Sequence, residues 1–520
     1  MLSTREKEQV GASTVHSLDT ISFTTQEEAR LVRKIDLLLL PSLSTLYLLS
    51  FLDRSNIANA RVDGMNVDLH LSAGQYSAAL TLFFVGYVLA ELPANWGLRA
   101  TSPPIWMPGL ALVFGILSLV QGLVGNAQGL LAVRFFLGVA ESGLFPGTVF
   151  IFSQWYKRKE RVVRVSAFFG GAAAAGAFGG VLAYGIGYMD GIGGKKGWQW
   201  IFILEGLLTI AISFLCFFTI PTWPTKTSWL TQRERAILHD RLSRDSDALE
   251  QEGRFNWSGV RQALTDPKVY LYCTLFHGMS FPLYTISLFL PSIIQGLGYR
   301  AWQAQLLTTP PYVFAFVITM ATAFTTQKVK LRAPFIIGGF ILAGLGYIVL
   351  LASPTIGGKY AATFLIVSGV YAGDALLLAW PSENVAGATK RNTALAMQIS
   401  IGNIGAIAGT QLYRQPLGGV RNQQYNVSIG LTFIWLAIGI ASATTLWVLM
   451  ARENRRREVI RARSPSEVQA AGEDRPVSSG SERSAASSGA LEKGKVIWLP
   501  DAQRTREEVA REWAELGDAR

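Results

Sequence analysis

The sequence predicts an all-α membrane protein, about twelve transmembrane helices arranged as two six-helix pseudo-repeats. Three observations predict it. Apolar stretches long enough to cross ~30 Å of hydrocarbon as helices recur along the chain. Half of the 520 residues are hydrophobic and 16% are charged, against about a quarter charged in soluble domains. Two glycine-rich segments repeat at one offset, on either side of a polar middle. Mean hydropathy is +0.29, in keeping with all three.

Residues 1–34 form a polar tail of mixed charge. It lacks the apolar core of a cleaved signal, so the first span is expected to serve as its own uncleaved signal. The first half, 35–220, holds spans at 35–57, 75–98, 105–125, 127–151, 165–187 and 199–220. Only Gly125-Asn126 separates the third from the fourth. Residues 221–268 are a polar linker. Within it Thr231-x-x-Glu234 reads as a capping box that opens a short helix carrying Ile237, Leu238 and Leu242. The second half, 269–450, holds spans at 269–294, 303–325, 334–352, 360–382, 393–413 and 428–450. Arg452 to Arg457 ends the last span as a charge stop, and 451–520 forms a tail. Its Ser-, Ala-, Gly- and Glu-rich stretch 464–490 is expected to be disordered. Ser464-Pro465 after Arg463 is a candidate phosphorylation site, and Thr505-x-x-Glu508 caps a short helix with Val509, Trp513 and Leu516 on one face.

Lys and Arg set the expected orientation. One set of loops holds Arg99, the cluster from Lys157 to Arg164, Lys328 to Arg332, and Lys390-Arg391; the other set is poorer. The positive-inside rule then puts both termini and the linker in the cytoplasm, and the plasma membrane is the expected location. A net charge of +11 is explained by this topology, so nucleic acid is not an expected partner. The partners expected are a small organic anion, protons and the lipid bilayer, with the chain a monomer.

The internal repeat pairs Gly176-Ala-Phe-Gly-Gly-Val-Leu-Ala-Tyr184 with Gly405-Ala-Ile-Ala-Gly-Thr-Gln-Leu-Tyr413. The fourth and tenth spans align at a similar offset through Gly138 and Gly369. Parallel repeats of this kind are a transporter signature, with the substrate between the halves. The two cysteines, Cys216 and Cys273, lie in apolar spans and exclude a disulfide framework. There is no zinc-ligand spacing, P-loop or nucleophile elbow, so no cofactor, metal or enzymatic activity is expected. Asn426-Val-Ser428 matches a glycan acceptor in an outer loop, close to the membrane.

Charge inside these spans is expensive and therefore informative. Asp53-Arg54 closes the first span, and Arg134, Gly138 and Glu141 fall at i, i+4 and i+7 on one face of the fourth. An arginine is a rigid fork that grips a carboxylate bidentately and never deprotonates, which suits an anion site. Arg54 and Arg134 are the candidate substrate-binding bases; the structural alternative makes each an ion-pair partner of Asp53 or Glu141. Glu141 is the leading proton carrier, since a low-dielectric cavity favours a protonated carboxyl. Asp53 is the second candidate, against a role as a tether for Arg54. In the seventh span Tyr284 and Ser287, one turn apart, are candidate hydrogen-bonding residues for substrate. His277 shares their face and is a candidate proton carrier or a packing residue. Asn403 in the eleventh span faces the cavity or bridges helices. Asp374 in the tenth span is an acid without an assigned role.

Certain motifs then carry a resemblance. Leu49-Ser-Phe-Leu-Asp53-Arg54-Ser-Asn56-Ile-Ala-Asn59-Ala60 and Arg134-Phe-Phe-Leu-Gly138-Val-Ala-Glu141-Ser-Gly143-Leu-Phe-Pro146-Gly147 resemble the first and fourth helices of the anion:cation symporter family of the major facilitator superfamily. Trp198-x-Trp200-Ile-Phe-Ile-x-Glu205-Gly206 is similar to its sixth helix. Pro282-Leu-Tyr284-x-Ile-Ser287-Leu-Phe-Leu-Pro291 and Asn384-Val-Ala-Gly-x-Thr-Lys390-Arg391 resemble the fungal allantoate, nicotinate and vitamin permease branch. The resemblance covers roughly 33–455 and implies the major facilitator fold, with Arg54 and Arg134 lining the cavity. Two departures stand out. Arg99-Ala-Thr-Ser-Pro-Pro carries one base where a basic gating cluster is usual, and Thr326-Gln327-Lys328 replaces an Asp-Arg pair. Tyr371-Ala-Gly-Asp374 also carries an acid where relatives tend to be neutral. The expected function is proton-coupled uptake of a small organic anion (a carboxylate, vitamin acid or ureide) by alternating access. Export of an acidic metabolite and a nutrient sensor of transporter fold are the alternatives.

Overall fold

The structure is a computed structural model that describes residues 23–243, 257–329, 331–385, 387–412 and 423–462. Its long elements are all helices. A segment in hydrocarbon has no water to bond its backbone, and a helix satisfies every peptide group internally. In chain order they are α1 (Thr25–Val62), α2 (Ala73–Ala100), α3 (Pro103–Gln121), α4 (Ala127–Glu141), α5 (Leu144–Trp155), α6 (Arg158–Gly187), α7 (Gly197–Thr219), α8 (Gln232–Ser243), α9 (Trp257–Thr265), α10 (Pro267–Gly296), α11 (Ala301–Val329), α12 (Ala333–Ala352), α13 (Ile356–Asn384), α14 (Ala388–Leu412) and α15 (Gln423–Ala462). Among the described residues, eleven helical spans are long and apolar enough to cross a membrane. The twelfth expected span is α14, where Lys390, Arg391, Gln398 and Asn403 lower the hydropathy.

Several boundaries differ from the sequence expectation, three of them for a clear local reason. The first helix starts at Thr25, about three turns before the apolar stretch. Thr24 and Glu27 form a capping box there, with the Glu27 N–H donating to Thr24 Oγ1 at 3.2 Å and the Thr24 N–H to the Glu27 carboxylate at 3.0 Å. The fourth span is two helices, α4 and α5, broken at Ser142-Gly143. Pro146 has no N–H to give the Ser142 carbonyl, so the helical ladder is interrupted at that point. The last helix continues past 450, through the charge stop, to Ala462. Stretch 464–490, Ser464-Pro465, the helix after Thr505 and the Asn426 side chain lie outside the described residues.

The helices approach closely where side chains are smallest. A Cβ on Gly138 of α4 would overlap the Phe83 carbonyl of α2, and one on Gly369 of α13 would meet Gly339 and Ala343 of α12. The aligned glycines thus both make backbone crossings, against different neighbours. The two halves meet along two seams. In one, α6 lies on α11: Gly180 packs on Gln305 and Thr308, and Thr309 Oγ1 donates to the Ala177 carbonyl at 3.1 Å. In the other, α2 lies on α14: Thr81 and Thr410 hydroxyls are 2.9 Å apart, Gln411 donates to Thr81 at 2.6 Å, and Ser400 donates to Glu91 at 2.7 Å. The first repeat segment sits on α6 and the second, as far as Leu412, on α14, one on each seam.

The linker helix α8 has the expected capping box, with the Thr231 N–H donating to Glu234 at 2.8 Å. It docks on the first half through ion pairs Lys34–Glu234 and Arg233–Glu27, both 2.8 Å, and through buried Arg241 to Glu28 and Glu160. By contrast, α9 packs on α14 of the second half, where Gly259 lies against Thr389.

Candidate functional site

Between the halves lies a narrow cleft. Its walls come from α1, α2, α5 and α6 on one side and α10, α13 and α14 on the other. The lining includes seven aromatic rings, among them Tyr47, Phe51, Phe145, Phe169, Phe276 and Tyr284. Arg54 is the one base and Asp374 the one acid among its lining residues.

Arg54 is set by helical periodicity. Ser50 and Arg54 are one turn apart on α1, so both point at the same neighbour. That neighbour is Glu141 at the end of α4. Arg54 Nη2 donates to Glu141 Oε2 at 2.8 Å, and Ser50 Oγ donates to the same oxygen at 2.7 Å. The other guanidinium arm crosses to the second half, where Nη1 donates to Tyr284 Oη at 2.9 Å. Arg54 is 7% exposed and Glu141 1%. The guanidinium carbon stands 4.9 Å from the Phe83 ring centre and 5.3 Å from that of Tyr87, so aromatic faces as well as a carboxylate offset its charge.

Arg134 is buried behind this wall and is not among the lining residues. Its guanidinium carbon lies 5.8 Å from the Phe83 ring centre, so Phe83 is shared by both arginines. Arg134 Nε and Nη2 have no hydrogen-bond partner among the described residues. Asp53 faces away from Arg54 and accepts from Ser118 Oγ of α3 at 2.6 Å. It is therefore no tether for Arg54.

The second-half candidates separate. Tyr284 and Asn403 line the cleft. Ser287 instead donates to the Leu283 carbonyl at 2.7 Å and shares a 2.9 Å hydroxyl contact with Tyr371. His277 is half-buried, with Nδ1 3.2 Å from the Ile401 carbonyl and its ring stacked on Trp435 at 6.2 Å.

Three further buried acids carry no role in the sequence reading. Glu205 of α7 accepts from Asn56 Nδ2 of α1. Glu91 of α2 is fully buried and accepts from Ser400 across a seam. Asp374 of α13 is fully buried, and neither of its oxygens has a hydrogen-bond partner among the described residues. The signal was available for the first two, since both are charges inside predicted spans.

Known proteins match this arrangement. The family model described as Major Facilitator Superfamily matches residues 43–410. The MFS-type transporter cnsO of Penicillium expansum is 36% identical over 473 residues, 88% of this chain and 91% of that protein. The high-affinity nicotinic acid transporter of Saccharomyces cerevisiae is 31% identical over 387 residues, 74% and 72% of the two chains. Among solved structures, the proton:xylose symporter XylE superposes with a TM-score of 0.59 at 16% identity, over 79% of this chain and 95% of that one. A bacterial homolog of the human lysosomal transporter Spinster gives 0.59 at 16% identity, over 82% and 98%. These structural likenesses speak to the fold.

Proposed function

Since the chain belongs to the major facilitator superfamily of membrane transporters, we propose that it carries a small organic anion into the cell together with protons. The observation that carries this reading is the buried Arg54–Glu141 pair at the wall of the cleft. A carboxylate substrate arriving at Arg54 competes with Glu141 for the guanidinium. Glu141, losing its counter-ion in a dry site, takes a proton instead, because a naked buried carboxylate is far more costly than a neutral one. Substrate and proton then travel together, and neither is favoured alone.

The kinship with a nicotinic acid transporter supports an organic acid as cargo. The loop charges support cytoplasmic termini and a plasma-membrane location. Rocking of the halves about the seams would alternate access to the cleft. Arg54, Tyr284 and Asn403, which line the cleft, are the proposed substrate contacts, with Glu141 the proton carrier.

The test is uptake of labelled nicotinate, pantothenate, allantoate and short carboxylates by transport-deficient yeast expressing the chain, at acidic and neutral external pH. Uptake of one acid that rises at low pH, and disappears in Arg54→Ala and Glu141→Gln at unchanged surface expression, is the expected result. A surface-localised protein that takes up none of them would overturn the reading.

A further inference from the structure

The two walls of the cleft are chemically opposite. On the first-half side, Arg54 lines the cleft and its Nε is a buried donor with no acceptor among the described residues. On the second-half side, both Asp374 oxygens and Asn403 Oδ1 are buried acceptors with no donor. Asp374 and Asn403 both line the cleft, and Asp374 is 0% exposed. A buried polar group left in this state is costly, and a charged one more so, so a site retains it for a ligand that completes it.

A ligand that completes both walls has an anionic acceptor at one end and a cationic donor at the other. We infer that the transported substrate is zwitterionic, a carboxylate joined to a protonated nitrogen, with Asp374 and Asn403 receiving the nitrogen. This rests on the anion reading above, which supplies Arg54 as the carboxylate end. The aromatic wall is an independent support. Tyr47 lies 5.7 Å from Phe145 and 6.1 Å from Phe169 between ring centres, and Phe169 lies 6.4 Å from Tyr371, one turn before Asp374. Aromatic faces around an acid are the surroundings that stabilise an organic cation.

The experiment measures ligand-induced shifts in the thermal transition of the purified full-length protein. The probes are two isosteric pairs, 3-(aminomethyl)benzoate with 3-ethylbenzoate and 5-aminopentanoate with hexanoate. The wild type is expected to bind at least one zwitterion roughly tenfold or more tightly than its anionic isostere, the worth of a charge-assisted hydrogen bond. Asp374→Asn, which keeps the shape, is expected to abolish that preference. Acids that bind without preference for the nitrogen, or a preference that survives in Asp374→Asn, overturn this inference alone. No shift from any of the four acids overturns the anion reading with it. The wild-type comparison decides the matter even if the variant fails to fold.

Discussion

Arg54 bridges the two halves by itself, with one guanidinium arm on Glu141 and the other on Tyr284. A lysine at this position carries the same charge but no fork, and it cannot serve both partners. Arg54→Lys is therefore expected to raise the substrate KM roughly ten- to hundredfold, the worth of one charge-assisted hydrogen bond. Initial uptake rates across a concentration series check this; an unchanged KM would show that the arm on Tyr284 is idle. At this scale the sequence was partly legible. Charge inside an apolar span singled out Arg54 and Glu141, but spacing set Glu141 beside Arg134 and offered Asp53 as the tether of Arg54, so the Arg54–Glu141 pair itself was not legible. The same rule applied to the second and sixth spans would have found Glu91 and Glu205. What spacing could not reveal is rotation about the helix axis. Asp53 and Arg54 are adjacent in sequence, and 100° of helical turn sends them to different neighbours, Ser118 on α3 and Glu141 on α4. Ser287 is likewise one turn from Tyr284, yet it turns to Tyr371 rather than to the cleft.

Among the helices, glycines decide how near the backbones can come. Gly138 lies where α4 crosses the Phe83 carbonyl of α2, whereas Gly109 of α3 has nothing within 4 Å of its would-be Cβ. Gly138→Ala must push two helices apart, at a cost of about 1–3 kcal/mol typical of overpacking. Gly109→Ala is expected to be neutral or stabilising by up to about 1 kcal/mol through helix propensity. Thermal transitions of the two purified variants, compared with wild type, separate them; equal transitions would mean that the crossing at Gly138 is pliable. Helix existence and order were readable because the hydropathy signal is strong over twenty residues. Ends were not, because they depend on a capping box at Thr24, a missing donor at Pro146, and ion pairs formed with a linker two hundred residues away.

Across the whole molecule, the linker helix α8 is held to the first half by charge. Partial burial alone would raise the Glu234 carboxyl above its ordinary value of 4.5, but the bonds from Lys34 and Thr231 outweigh burial and hold it below. A group depressed on docking stabilises the docked state fully above its free value and ceases to do so as pH falls through the depressed one. Docking of α8 is thus expected to be pH-independent near neutrality and to weaken below about pH 4.5, the value above which the free carboxyl is ionised. Hydrogen exchange of α8 amides in the purified protein between pH 3.5 and 7, corrected for intrinsic rates, checks this. Protection that stays constant to the acid end would assign the docking to burial of Ile237 and Leu238 instead.

The attachment of α8 to one half and α9 to the other has a practical outcome. Any rocking of the halves must change the separation of these two short helices, which stand outside the route taken by cargo. An antibody fragment that staples α8 to α9 would act as a brake applied to the handles rather than a plug placed in the passage. It would lower the maximal rate without competing with substrate, however much substrate is supplied.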